Sequence, residues 1–193
     1  IGMLGTPTTI ETVAGALQQR LHVREVHVDL AGDVDDVGDA AHAVVEHPDG
    51  RRVFVPGAWL GERVRVKVKI LKSQYAIAEL VEVLEASPAR IDPPCGFHGF
   101  SARQCGGCPW MFVDYAAQLQ AKQERVAQAI QRLLPEPPIR SILAAPEPLG
   151  YRVRAQLKTD GRELGFVANA QRQLAAVDDC LVLSEHNRTT LRA

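Results

Sequence analysis

The sequence predicts an α+β protein: a small β-barrel, then a cysteine-rich loop, a long helix and a small antiparallel sheet, with a short helix ahead of the barrel. Three observations lead there. Between positions 23 and 84 apolar residues recur at a spacing near two in about five short runs, separated by Pro and Gly turn signals. Three of the four cysteines fall within the fourteen positions from Cys95 to Cys108. Beyond them, from Asp114 to Leu134, the apolar spacing becomes helical.

Residues 8–21 read as a helix, with Thr8 and Glu11 as a capping box and Ile10, Val13, Ala14, Leu17 and Leu21 on one stripe. Val26 and Val28 begin the strand region, and Ala43-Val44-Val45 follows what reads as an acidic loop. Pro48-Asp49-Gly50 marks a turn before Val53-Phe54-Val55, and Pro56-Gly57 marks the next. Residues 62–70 alternate strictly, placing Val64, Val66, Val68 and Ile70 on one face and Arg63, Arg65, Lys67 and Lys69 on the other. Residues 75–84 supply a further strand, and the set suits a small barrel or strongly curved sheet. The domain boundaries expected are an N-terminal extension over 1–22, the barrel over 23–87 and a cysteine-containing domain over 88–193.

Asp114 is placed to cap the long helix, whose stripe is Tyr115, Leu119, Val126, Ile130 and Leu133, and Pro135 stops it. A proline-rich connector follows to Pro148. Residues 151–158 alternate again, Tyr151, Val153, Ala155 and Leu157 against Arg152, Arg154, Gln156 and Lys158. Asp160-Gly161 reads as a hairpin turn leading into Leu164 to Val167.

Composition is that of an ordinary globular chain, 46% apolar and 23% charged, with a formal net charge of −1. The sum hides an asymmetry. Glu25 to Asp49 holds eight acidic residues and no Lys or Arg, whereas Arg51 to Lys72 holds seven Lys/Arg against Glu62 alone. No apolar run reaches the roughly 18 residues of a membrane span, and no signal-peptide pattern is present. The expectation is a cytoplasmic, monomeric protein whose cysteines are thiols, not disulfides.

Cys95-x9-Cys105-Gly-Gly-Cys108, with Cys180 far downstream, is the sharpest chemical signal. A C-x2-C pair presents two sulfurs to one centre, and the glycines let backbone N–H groups approach them. Four thiolates suit a [4Fe–4S] cluster or structural zinc. Three clustered cysteines plus one remote favour the cluster, since a zinc ribbon brings a second close pair. Zinc, unliganded thiols and a competing His98 ligand stay open at this level. The stripe Arg63, Arg65, Lys67 and Lys69, extended by Arg51, Arg52 and Lys72 and joined by Arg152, Arg154 and Lys158, reads either as solvated sheet surface or as an RNA-binding face. Phe54 and Tyr75 are candidate stacking residues, with a core role as the alternative for Phe54.

Together these residues resemble a known family. Arg52-Val-Phe-Val-Pro-Gly-Ala58 followed by Gly61-Glu62-Arg63-Val64 resembles a TRAM domain, an OB-like RNA-binding barrel. Cys105-Gly-Gly-Cys108-Pro-Trp, then Asp114-Tyr115-x-x-Gln118-Leu119-x-x-Lys122-x-x-Arg125-Val126, is similar to the iron–sulfur segment of bacterial RNA (uracil-5-)-methyltransferases. Gly150-Tyr151-Arg152-x-Arg154, Leu164-Gly165-Phe166 and Val177-Asp178-Asp179-Cys180 continue the order, so the resemblance spans about residues 23–190. It implies a [4Fe–4S] cluster on Cys95, Cys105, Cys108 and Cys180, and RNA near Arg63, Arg65, Arg152 and Arg154. The 23S ribosomal RNA branch matches best. It also implies a further domain binding S-adenosylmethionine, with a catalytic cysteine and a carboxylate base.

Two departures stand out. The Cys95–Cys105 loop is longer than the family's spacing, and no glycine-rich cofactor turn or fifth cysteine occurs in the 193 residues. No catalytic residue is therefore assigned, and this stretch alone is expected to be inactive. The competing expectations are a stand-alone RNA-binding adaptor with a structural metal site and, in a third class, an electron-transfer protein.

Overall fold

The computed structural model describes residues 28–37, 42–47, 49–168 and 173–192. The helix read over 8–21 and the strand start at Val26 lie outside them.

Five strands close a barrel in the order β1-β2-β3-β5-β4, where β1 is Val28–Val37, β2 Ala43–Glu46, β3 Arg52–Val55, β4 Arg63–Leu71 and β5 Tyr75–Glu85. All pairings are antiparallel except β3 with β5, which run parallel, and closure leaves no free edge. The alternation read in β4 holds: Val64, Val66 and Val68 are fully buried, while Arg63 and Arg65 point outward. With Val45, Val53, Val55, Ala58, Ala76 and Ala78 they fill the barrel, valine and alanine suiting its narrow interior.

The acidic loop is corrected. Asp33 to Val37 belongs to β1, where Val34, Asp36 and Val37 pair with Val45, Val44 and Ala43 of β2. A bulge between Val34 and Asp36 absorbs the extra residue, and this breaks the two-residue period that would have marked the strand.

The barrel opens onto the rest of the chain through a buried charge. The Glu62 side chain is fully enclosed and accepts hydrogen bonds from the Trp59 N–H at 2.9 Å, the Ser87 N–H and the Arg90 guanidinium. Arg90 also donates to the Gly57 carbonyl at 2.7 Å and lies 4.5 Å over the Phe112 ring. Gly57 holds a φ of 86° in the Pro56-Gly57 turn, and any Cβ there would meet the Phe100 ring at 2.8 Å. Around this pair Trp59, Trp110, Phe112, Val113 and Ala121 form a second core, with Trp59 and Trp110 edge to face at 5.1 Å.

Helix α1 spans Tyr115–Gln131. Asp114 caps it, its carboxylate accepting from the Ala116 and Ala117 N–H groups. Gln118 ties its first turns to the preceding loop by donating to the Trp110 and Val113 carbonyls. The expected stripe is buried only in part: Val126 is 51% and Leu133 89% exposed. The connector after the helix folds back along it, with the Ala145 N–H donating to the Tyr115 hydroxyl and the Ile142 N–H to the Gln123 side chain.

Residues 151–158 are a second correction. They form no continuous strand; only Lys158–Thr159 pairs as β6, in a small antiparallel sheet with β7 (Leu164–Val167) and β8 (Leu174–Ala176). The Asp160-Gly161 turn stands as expected, Gly161 having a φ of 92°. Upstream of β6 the chain lies along 181–184 instead, through the Gly150 N–H to Leu181, the Arg152 N–H to Val182 and the Ser184 N–H to Arg152. Alternation there is uncoupled from burial, since Val153 is 78% exposed. Helix α2, Glu185–Arg192, has no apolar stripe that the sequence could have signalled and follows at once.

Candidate functional site: a four-cysteine pocket beside the barrel

Three separate segments bring the cysteines together. Cys95, Cys108 and Cys180 each open a tight turn, their carbonyls accepting from the His98, Met111 and Leu183 N–H groups at 3.1, 3.1 and 3.0 Å. Cys105 bridges backbone to backbone with His98 on one side and Ala168 on the other. Ala168 directly follows β7, and β8 delivers Cys180 four residues after its end. The hairpin thus closes the 72-position gap between Cys108 and Cys180.

All four thiols are half-buried and line one pocket with Phe97, His98, Met111, Phe166, Val177 and Val182. Burial pushes the Cys108 thiol up to about 11, and the proximity of Cys180, Cys105 and Cys95 adds to the rise. Arg152 opposes it. Cys105 is also raised, first by burial; the Gly107 N–H, hydrogen-bonded to its sulfur, works the other way, and Cys180 and Cys95 add repulsion. The four thiols share one pocket, and a cation bound there would favour their thiolate forms. The donor set therefore fits a thiolate-held metal group. Among the described residues, no three His, Cys, Asp or Glu side chains close into the shell of a single ion.

The turn at Cys180 is braced from α2. Asp179 accepts from Arg188 at 2.8 and 2.7 Å, from Arg192 at 2.7 Å and from the Cys180 N–H at 2.7 Å. The Arg188 guanidinium holds its carboxyl far below the usual carboxylate range, with Arg192 and the Cys180 N–H assisting against desolvation. Sequence reading missed this brace, because α2 carried no apolar pattern to flag it.

The basic face is more balanced than its sequence. Arg63, Arg65 and Lys69 pair with Glu85, Glu82 and Glu79 of β5, Lys69 to Glu79 at 2.7 Å. Those glutamates recur every third residue, which in a regular strand would alternate faces. Register shifts between β4 and β5 bring them opposite the cations, so only the bulges could have revealed the pairing. Lys67 lies on the same strand, opposite Glu79 in register. At the other end Arg51 pairs with Asp49 at 2.8 Å and donates to the Lys72 carbonyl, while Arg52 is exposed. Phe54 is not core: its neighbours Val53 and Val55 fill the barrel, and its own ring packs edge to face on the exposed Tyr75 at 5.9 Å. Arg152, Arg154 and Lys158 are exposed too, Arg152 donating to the Arg154 carbonyl.

A TRAM domain model matches residues 23–81. An uncharacterized RNA methyltransferase of Nitrosomonas europaea is 36% identical over 168 residues, covering 83% of this chain and 43% of that protein. The 23S rRNA (uracil(1939)-C(5))-methyltransferase RlmD of Pseudomonas putida is 36% identical over 152 residues, covering 75% of this chain and 32% of its own length. The chain thus spans less than half the length of these relatives. Among solved structures, the Pyrococcus abyssi tRNA (uracil-54, C5)-methyltransferase with S-adenosyl-L-homocysteine superposes with a TM-score of 0.61 at 20% identity, over 84% of this chain and 35% of that one. At that identity the likeness is one of fold. Among the described residues no helix is long and apolar enough to cross a membrane.

Proposed function

The chain belongs to the RNA methyltransferase family whose TRAM domain it carries, and on that premise we propose that it is the RNA-gripping, [4Fe–4S]-binding portion of an S-adenosylmethionine-dependent 23S rRNA (uracil-5-)-methyltransferase. Methyl transfer itself is assigned to a part of the protein outside these 193 residues, which would bind the methyl donor; this stretch alone is inactive. The observation that carries the reading is the convergence of four thiols from three segments on one pocket, fused to a TRAM barrel.

Zinc is the weaker occupant. Thiolates around one zinc, each about 2.3 Å from it, stand about 3.8 Å apart. A cubane is favoured because three clustered cysteines and one remote cysteine supply its four thiolates, whereas a zinc ribbon brings a second close pair. Such a cluster supplies thiolate anchoring and, where the redox level changes, one electron. Cys95, Cys105, Cys108 and Cys180 would hold it, with the Gly107 N–H donating to sulfur.

RNA contact is assigned to the exposed cations and to the Phe54–Tyr75 pair, phosphates giving affinity and the rings a stacking platform. Two measurements test the reading. Iron and sulfide analysis after anaerobic purification should give about four of each per chain. Binding to a 23S rRNA fragment should weaken linearly in log–log against salt, by about 0.7 per phosphate engaged on single strands. Phe54→Ala should cost about 1–3 kcal/mol of RNA affinity with that slope unchanged. A colourless protein holding one tight zinc, or RNA binding indifferent to salt, would sink the assignment.

A further inference from the structure

One polar side chain in the cysteine pocket has no partner. His98 lies in the loop between Cys95 and Cys105, and both its ring nitrogens are buried without a hydrogen bond. Its backbone is fixed twice: its N–H donates to the Cys95 carbonyl at 3.1 Å, and it bridges Cys105. The ring itself is boxed in, stacked on Phe112 at 6.1 Å and edge to face with Phe100 at 5.2 Å. The second core holds both phenylalanines, so the ring has little room to swing toward solvent. An imidazole is a strong donor, and one buried without an acceptor is costly unless the pocket it lines supplies one.

Resting on the cluster reading above, we propose that His98 donates a ring N–H to a sulfur of the group held by Cys95, Cys105, Cys108 and Cys180, and so sets its reduction potential. The pocket His98 lines is the one the four thiols share, and their sulfurs, as thiolates, are the acceptors it otherwise lacks. Gly107 already shows the principle from the backbone, its N–H bonding the Cys105 sulfur. Such bonds draw charge from sulfur and stabilise the more reduced, more negative state. His98 is then a positioning and tuning residue, not a fifth ligand.

The test compares wild type, His98→Phe and His98→Gln, purified and reconstituted anaerobically. Iron and sulfide come first, then a potential titration followed by electron paramagnetic resonance. All three proteins should hold about four iron. His98→Phe keeps a ring but no donor, and should shift the reduction equilibrium about tenfold toward the oxidised cluster, about 59 mV for a one-electron couple. His98→Gln restores an N–H and should recover most of that shift. Pulsed resonance on wild type labelled with 15N-histidine should show a weak nitrogen coupling to the reduced cluster, which serves even where the Phe variant fails to fold. A full cluster with unchanged potential in His98→Phe, or no histidine coupling, overturns the proposal and leaves the cluster reading standing. A strong coupling with cluster loss in His98→Phe makes His98 a ligand and overturns it too. Wild type without iron removes both.

Discussion

The barrel and the cysteine domain solve the same problem with different materials. The barrel encloses Val45, Val53, Val55, Val64, Val66 and Val68 completely, and its ring of strands closes on itself. The part from Cys95 to Leu183 has a three-stranded sheet, half-buried thiols and several large apolar side chains in the open: Leu133 at 89%, Leu143 at 92% and Val153 at 78% exposure. It has its own small core, including Trp110, Phe112 and Val113, and a small domain with limited burial gains most from a cross-link or a metal centre. Hydrophobic burial builds one region; on the proposed reading, coordination completes the other.

If that contrast is right, Cys108→Ser should have the largest effect. Bound iron should fall from about four per chain to below one. Amide exchange protection should vanish between 95 and 183, while the barrel strands keep theirs. Barrel amides opening in step would show that the two regions fold as one unit. Glu62→Ala comes next, at about 3–5 kcal/mol in urea unfolding, because it leaves Arg90 and two backbone N–H groups without their acceptor in a closed space. Val66→Ala should cost about 2 kcal/mol through lost burial and a small cavity, and should leave iron content untouched. The smallest change belongs to Arg65→Ala, whose pairing with Glu82 is half exposed on both sides; about 0.2–1 kcal/mol is expected. An Arg65→Ala loss comparable to that of Val66→Ala would mean the outer charge ladder, not the valine interior, holds the barrel.

The legibility of the sequence followed the same division. In β4 the pattern Arg63-Val64-Arg65-Val66-Lys67-Val68 gave burial residue by residue, because one face of a closed barrel has nowhere else to go. The Asp114 cap and the Gly161 turn were equally readable, each being a local rule. What escaped were arrangements set by distant partners. Asp33–Val37 took strand form from β2 and β4, and Tyr151 to Leu157 lost it for want of a neighbouring strand. Glu79, Glu82 and Glu85 reached the β4 cations only through bulges. The four cysteines were found by residue type and spacing, yet the route that unites them, through the β7–β8 hairpin and the turn at Cys180, is tertiary. His98 was visible as a competitor for metal; its isolation between two phenylalanines was not.

The lock formed by Glu62, Arg90 and the Gly57 carbonyl has a consequence for how nucleic acid would be held. Two modules on a supple tether would search independently, and the second grip would depend on tether length. Here the strap between them is welded by a charge pair and two indoles packed edge to face, so their separation is a built-in gauge. On the proposed reading, an RNA fold whose phosphates and splayed bases match that gauge would gain both contacts at once, and one of the wrong shape would forgo one of them.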